Sequence, residues 1–245
     1  MEPLKFLRRA HDQAVEMAKP LKLDGLDAQR RAALLLYGTI VELAGAFTAL
    51  CEQKLWVGAP TVARCTLEAY IDLRNTCQDA KYVRNLEAAV GIEQLRTYKA
   101  ARDEKNLYFE GVRAIGGLDE IMERTQNRVE ELKMEGCGSL TIRERFTRAQ
   151  AEDIYLSVYH SLCDEAHNGL ATLYSRQLNE KNEVRFALYR EEPRNDFLPL
   201  VDLAASILND ATVLVHEVLK TGNAEAATKL QNELAKIRKG YKLAG

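Results

Sequence analysis

Three stretches of the chain carry polar side chains at helical spacing inside otherwise apolar sequence. In Ala63-Arg64-Cys65-Thr66-Leu67-Glu68-Ala69-Tyr70-Ile71-Asp72, the residues Arg64, Glu68 and Asp72 recur every fourth position. Tyr155, Tyr159, Cys163 and His167 do the same further on, with Asp164 three residues before His167. Gly38, Glu42, Gly45 and Ala49 form a third stripe, whose small residues would let a neighbouring helix approach closely. If the three stripes face one another, a bundle core holds Glu42, Arg64, Glu68, Tyr159 and His167. A base, a cation and carboxylates are what proton-transfer chemistry needs. His167, Arg64, Glu68 and Tyr159 are the catalytic candidates. Glu42, Asp72, Cys163 and Asp164 are the ligand-binding candidates. The same residues also have a plain structural use. Arg64 and Glu68 are spaced as an ordinary helical ion pair, and buried Tyr and His often only satisfy each other's hydrogen bonds.

Other chemistries have less to stand on. A di-iron bundle needs two Glu-x-x-His motifs, and this chain offers a single Asp164-x-x-His167. No Cys/His pair recurs at zinc spacing, so neither a metal nor another cofactor is expected. GxGxxG, P-loop, GxSxG and HExxH motifs are all absent. Cys163 and His167 could meet as a thiol–imidazole pair, but a mid-helix apolar Cys is ordinarily inert.

The elements that must position these residues read as helices. Glu2–Lys19 is amphipathic, and Pro20 and Gly25 end it. Asp27 caps a long helix to about Leu55, and Pro60 suits the first turn of a third, ending near Cys77. Asp79 opens a fourth towards Glu104, and Leu118–Met134 is short and charged. Thr141 and Glu144 form a capping box for a helix that bends near Gln150 and runs to Gln177, interrupted at Asn168-Gly169. Val184–Tyr189 is β-prone. Asp196 begins an apolar helix through Leu219, and Asn223 caps the last, to Lys239. The expectation is an all-α fold: a helical bundle of seven to nine helices, with one short extended or hairpin segment near 182–190. Residues 1–245 form a single helical domain, with 112–140 as an insertion or excursion.

Composition excludes whole classes. With 34 Lys+Arg against 36 Asp+Glu the net charge is −2, so no charge excess exists for strong phosphate neutralisation. A 47% hydrophobic content rules out disorder as the main state. The five cysteines are an odd set without close pairs, and Cys51, Cys65, Cys77 and Cys163 read as buried small hydrophobes in a reducing cytosol. Met1–Lys19 is too charged for a signal peptide. Ala32–Cys51 approaches membrane-spanning length. It reads as a core helix, because no second such segment is apparent. A cytoplasmic protein without membrane contact is expected. Leu230, Leu234 and Ile237 form an apolar stripe on which the chain could pair as a homodimer.

Leu36-Tyr37 with Glu42, then Ala63–Ala69, then Tyr159-x3-Cys163-x3-His167, resemble a bacterial family of helical proteins. Its pattern is an Arg-x3-Glu helix followed by a Tyr-x3-Ser-x3-His helix. The pattern is similar to the HEPN superfamily of helical bundles, which includes RNase toxins and phage-defence proteins. The resemblance spans about Arg30 to Leu219. It implies a binding or regulatory component of a bacterial stress or defence system, with an RNA or protein partner. Alternatively it implies a metal-independent ribonuclease in which His167 is the general acid–base, Arg64 stabilises the phosphorane charge, and Tyr159 and Glu68 orient them. Two departures stand out. Cys163 occupies the serine position, and no histidine has an arginine at the four-to-six-residue spacing of HEPN ribonucleases. An enzyme of that kind would have to bring Arg64 to His167 from another helix.

Overall fold

The computed structural model describes residues 2–103, 105–114, 116–167, 169–179, 185–186 and 197–240. The chain divides into two compact units, one formed by Met1–Cys77 with Phe146–Gly245 and the other by Gln78–Arg145. The residues 112–140 singled out in the sequence lie within the second.

The first unit is built on three long helices. They are α1 (Glu2–Ala18), α2 (Ala28–Glu52) and α11 (Phe197–Leu219), which pack against one another. Asp27 caps α2 as its position suggests, its carboxylate accepting the Arg30 backbone N–H at 2.8 Å. The α2 helix ends in a turn where Lys54 takes a left-handed conformation, and Pro60 then sits in the first turn of α3 (Ala59–Gln78). Phe6, Leu7, Tyr37, Ile40, Phe47, Leu67, Ile71 and Leu208 are fully or almost fully buried and make up the core.

Several expectations need correction here. The long helix expected from Thr141 to Gln177 is broken into pieces: α7 (Ile142–Arg148), α8 (Glu152–Ile154), a π-helical turn (Tyr155–Tyr159), α9 (His160–Ala166) and α10 (Leu170–Gln177). Gln150, at φ +54°, stops the helix where a bend was expected. This fragmentation carries the helix count above the expected seven to nine. Leu178–Asn179 and Arg185–Phe186 pair antiparallel over two residues. Most of the segment expected to be extended near 182–190 lies outside the described residues.

The apolar stripe of α12 (Ala224–Gly240) is not free for pairing. Leu230 and Leu234 are buried, because α12 packs on α11. The reading of one long apolar segment is also revised. Both α2 and α11 are long and apolar enough to cross a membrane, at mean hydropathies of 1.7 and 1.5. The cysteines differ as well: Cys51 and Cys137 are buried, Cys77 and Cys163 half-buried, and Cys65 exposed. His11 packs over Gly45, where a Cβ would come within 2.7 Å of its Nε2.

In the second unit, α4 (Tyr82–Ala101) packs against α6 (Leu118–Met134). Gly91 makes the approach possible, since a Cβ there would lie 2.6 Å from Val129 Cγ2. Between them lie a 3-10 turn (Leu107–Phe109) and α5 (Glu110–Ala114), both unexpected. Asp79 accepts from the Lys81 N–H at 2.8 Å in the turn before α4, so that helix starts later than expected. The capping box forms as read, Glu144 accepting from the Thr141 N–H at 2.7 Å.

His216 sits in the core of α11, edge-on to Tyr37 and with Nδ1 2.6 Å from Thr221 Oγ1. Burial lowers its pKa. The folded state therefore holds His216 neutral, and protons bind the unfolded chain more readily. Stability contributed by neutral His216 is present above the unfolded histidine value of about 6.5 and declines as pH falls through it towards the folded value. His216→Phe keeps a ring beside Tyr37. Urea titrations at stepped pH should show wild type losing stability below about pH 6.5, with a shallower loss in the variant. Equal slopes would remove His216 from the acid response.

Candidate functional site

Four of the candidate residues meet between α3 and the π turn with α9. Arg64 and Glu68 lie one turn apart on α3, and the Arg64 Nε is 3.0 Å from Glu68 Oε1. That contact is an ion pair and not an aligned hydrogen bond. From the other side the Tyr159 hydroxyl donates to Glu68 Oε1 at 2.9 Å and accepts from Arg64 Nη2 at 3.3 Å. The guanidinium lies 5.5 Å from the Tyr159 ring centroid, within cation–π range. Arg64 Nη1 then reaches His167 Nε2 at 3.4 Å. Cys163, one turn before His167, lies against the Tyr159 hydroxyl.

The π turn and a buried aromatic anchor place Tyr159. Phe146 is fully buried and tilts against Tyr155 and Tyr159, at 5.5 and 5.1 Å between centroids, while the two tyrosines stack at 5.5 Å. Tyr159 is 5% exposed, whereas Arg64 and Glu68 keep 25% and 31% of their side chains exposed and His167 is open to solvent. The cluster thus runs from core to surface. A sequence reading that stops at periodicity misses Phe146. Its signal is a lone aromatic among the charged residues of Ile142–Arg148.

The electrostatics follow from this gradient. Burial pushes the Tyr159 hydroxyl pKa up, Arg64 pulls it back, and the Glu68 carboxylate raises it again, so the phenol stays protonated and donates. The hydrogen bond to Tyr159 raises the Arg64 pKa most, burial draws it back, and the Glu68 carboxylate adds a smaller rise. A guanidinium has no lone pair to offer, so the Nη1–Nε2 contact uses the imidazole's lone pair. That lone pair is then engaged, and Nε2 can take a proton only when the guanidinium moves off it.

The other candidates fall outside this cluster or at its edge. Asp72 is buried one turn further along α3. Asp164 is exposed and has no hydrogen bond or ion pair among the described residues. Glu42 is a correction. It was expected in the core, but it lies on the exposed side of α2, as does Ala49. The stripe it belongs to spans the boundary of the buried arc: Gly45 has His11 of α1 against it, whereas a Cβ at Gly38 would meet nothing within 4 Å. Among the described residues no three His, Cys, Asp or Glu side chains are grouped as a metal set.

A model of a family of unknown function, DUF5677, matches residues 30–184. The chain belongs to this family. No match to a curated protein or to a solved structure was found. The DUF5677 match takes in Arg64, Glu68, Tyr159, Cys163 and His167, and leaves α1, α11 and α12 outside it.

Tyr159→Phe keeps the ring stack and deletes the hydroxyl that joins Arg64 to Glu68. We expect a loss of about 1 kcal/mol, small because the pair is partly solvated. Combined with Arg64→Met the losses should be non-additive by about 0.5 kcal/mol or more. Strict additivity in urea denaturation would show that the three groups are not energetically joined.

Proposed function

We propose that the Arg64–Glu68–Tyr159–His167 cluster is a metal-independent acid–base site acting on a phosphodiester, with RNA as the substrate class. The observation that carries this reading is the Arg64 guanidinium shared between a buried phenol and a solvent-facing imidazole. As the guanidinium turns to the phosphoryl oxygens it frees the Nε2 lone pair of His167, which takes the proton of the attacking hydroxyl and returns it to the leaving oxygen, while Arg64 opposes the charge that gathers on the phosphoryl oxygens. Tyr159 and Glu68 hold the guanidinium in place. The resemblance to helical RNases supports the same reading, and Arg64 arrives from another helix in place of the missing local arginine.

A second reading is a binding or regulatory module of a bacterial stress or defence system. What favours it is Glu68, whose carboxylate already balances Arg64. In either case we place the protein in the cytosol. The exposed free thiol of Cys65 suits a reducing compartment, and α2 and α11 bury much of their apolar surface against each other and α1.

The test is incubation of purified protein with total RNA and tRNA, with and without EDTA. Wild type should cleave in both conditions. His167→Ala should lose about 100-fold or more of the rate. Arg64→Lys should also lose most of it, since an ammonium cannot span both Tyr159 and His167. Absence of cleavage by the folded wild-type protein would overturn the enzyme reading in favour of the binding module.

A further inference from the structure

The helix α2 is apolar round its circumference but covered on one side only. Tyr37, Ile40, Ala44, Phe47 and Cys51 face the core. On the opposite side Arg31, Leu35, Glu42, Ala46 and Ala49 are exposed, Leu35 to 56%, with exposed Thr39 at the edge, its hydroxyl turned back to the Leu35 carbonyl. A helix with apolar residues on every face is ordinarily buried on every face. Two charged residues interrupt the open side, and neither forms an ion pair among the described residues. Among the described residues the Arg31 guanidinium donates only to the Leu26 carbonyl, at 3.3 Å. Glu42 has no hydrogen bond among the described residues.

We infer that α2 of a second copy of this chain covers this face, antiparallel, about a two-fold axis between Leu36 and Tyr37. The spacing from Arg31 to Leu35, Gly38 and Glu42 is four, three, four. It reads the same in both directions, as a self-complementary interface requires. In that register Arg31 meets Glu42 of the partner subunit, and Leu35 meets Gly38 of the partner subunit. A Cβ at Gly38 would find nothing within 4 Å, so there is room there for a leucine. The two unpaired charges are matched twice over, and the open glycine takes the most exposed leucine of the helix. A lipid surface would leave Glu42 uncompensated in the middle of the face.

Multi-angle light scattering over a concentration series reads the outcome. Wild type should approach twice the chain mass of 27.6 kDa. Glu42→Arg sets like charges opposite each other and should raise the dimer dissociation constant about 100-fold. Arg31→Glu should do the same. The double variant Arg31→Glu with Glu42→Arg should restore the dimer, which a general loss of folding could not do. A 27.6 kDa wild type at every concentration would overturn the inference. So would a dimer indifferent to both single variants, or a monomer that floats with phosphatidylcholine–phosphatidylglycerol vesicles.

Discussion

A guanidinium cannot shed its charge, and Arg64 holds three-quarters of its side chain out of water. The chain must therefore bring acceptors to it, and this requirement ties α3 to the π turn and α9. Glu68 comes from the same helix at no cost in topology. Tyr159 and His167 come from ninety or more residues away, so their segment has to be held firmly against α3. Phe146 supplies that hold. It is fully buried and touches both tyrosines of the π turn. The polar cluster is thus a surface expression of an aromatic core, and its geometry depends on the packing behind it.

Legibility followed physics at each point. Caps were readable because they use one side chain and the backbone next to it, as with Asp27 before α2 and Thr141 with Glu144. The Arg64–Glu68 and Tyr159–Cys163–His167 spacings were readable because helical periodicity puts such residues on one face. The placement of Glu42 was not readable. An apolar helix gives no internal sign of which arc is buried, and α2 has apolar residues on every arc. At Gln150 the place was readable as a bend but the full stop was not, since its left-handed backbone is imposed by the turn that returns the Ala151 N–H to the Phe146 carbonyl at 2.9 Å. A neighbouring helix decided the fate of the α12 stripe: Leu230 and Leu234 look free in sequence and are covered by α11.

The two long apolar helices show how similar composition serves different ends. The α11 helix is half-buried along its apolar window and is packed by α1, α2 and α12. The α2 helix has a smaller share covered and lies at the start of the stretch matched to DUF5677, while α11 lies beyond its end. Much of the bundle that supports α2 is therefore outside the matched stretch, whereas the polar cluster is inside it. Scaffold and site need not be shared to the same extent among relatives.

The π turn has a consequence for how this segment tolerates change in length. A π turn accommodates one residue more than the regular helix would over the same rise. Removing one residue between Tyr155 and Tyr159 would let the backbone return to ordinary α-helical winding. Five residues of π winding turn the chain through nearly the same angle as four of α winding, so the flanks would keep nearly their relative phase. The Phe146 contact and the His167 contact could then both be kept, and the change would fall on Tyr155 and Tyr159, whose side chains would be re-aimed within the turn. The segment therefore takes up its extra residue locally, and a one-residue deletion is tolerated there more readily than elsewhere between the aromatic anchor and the polar head.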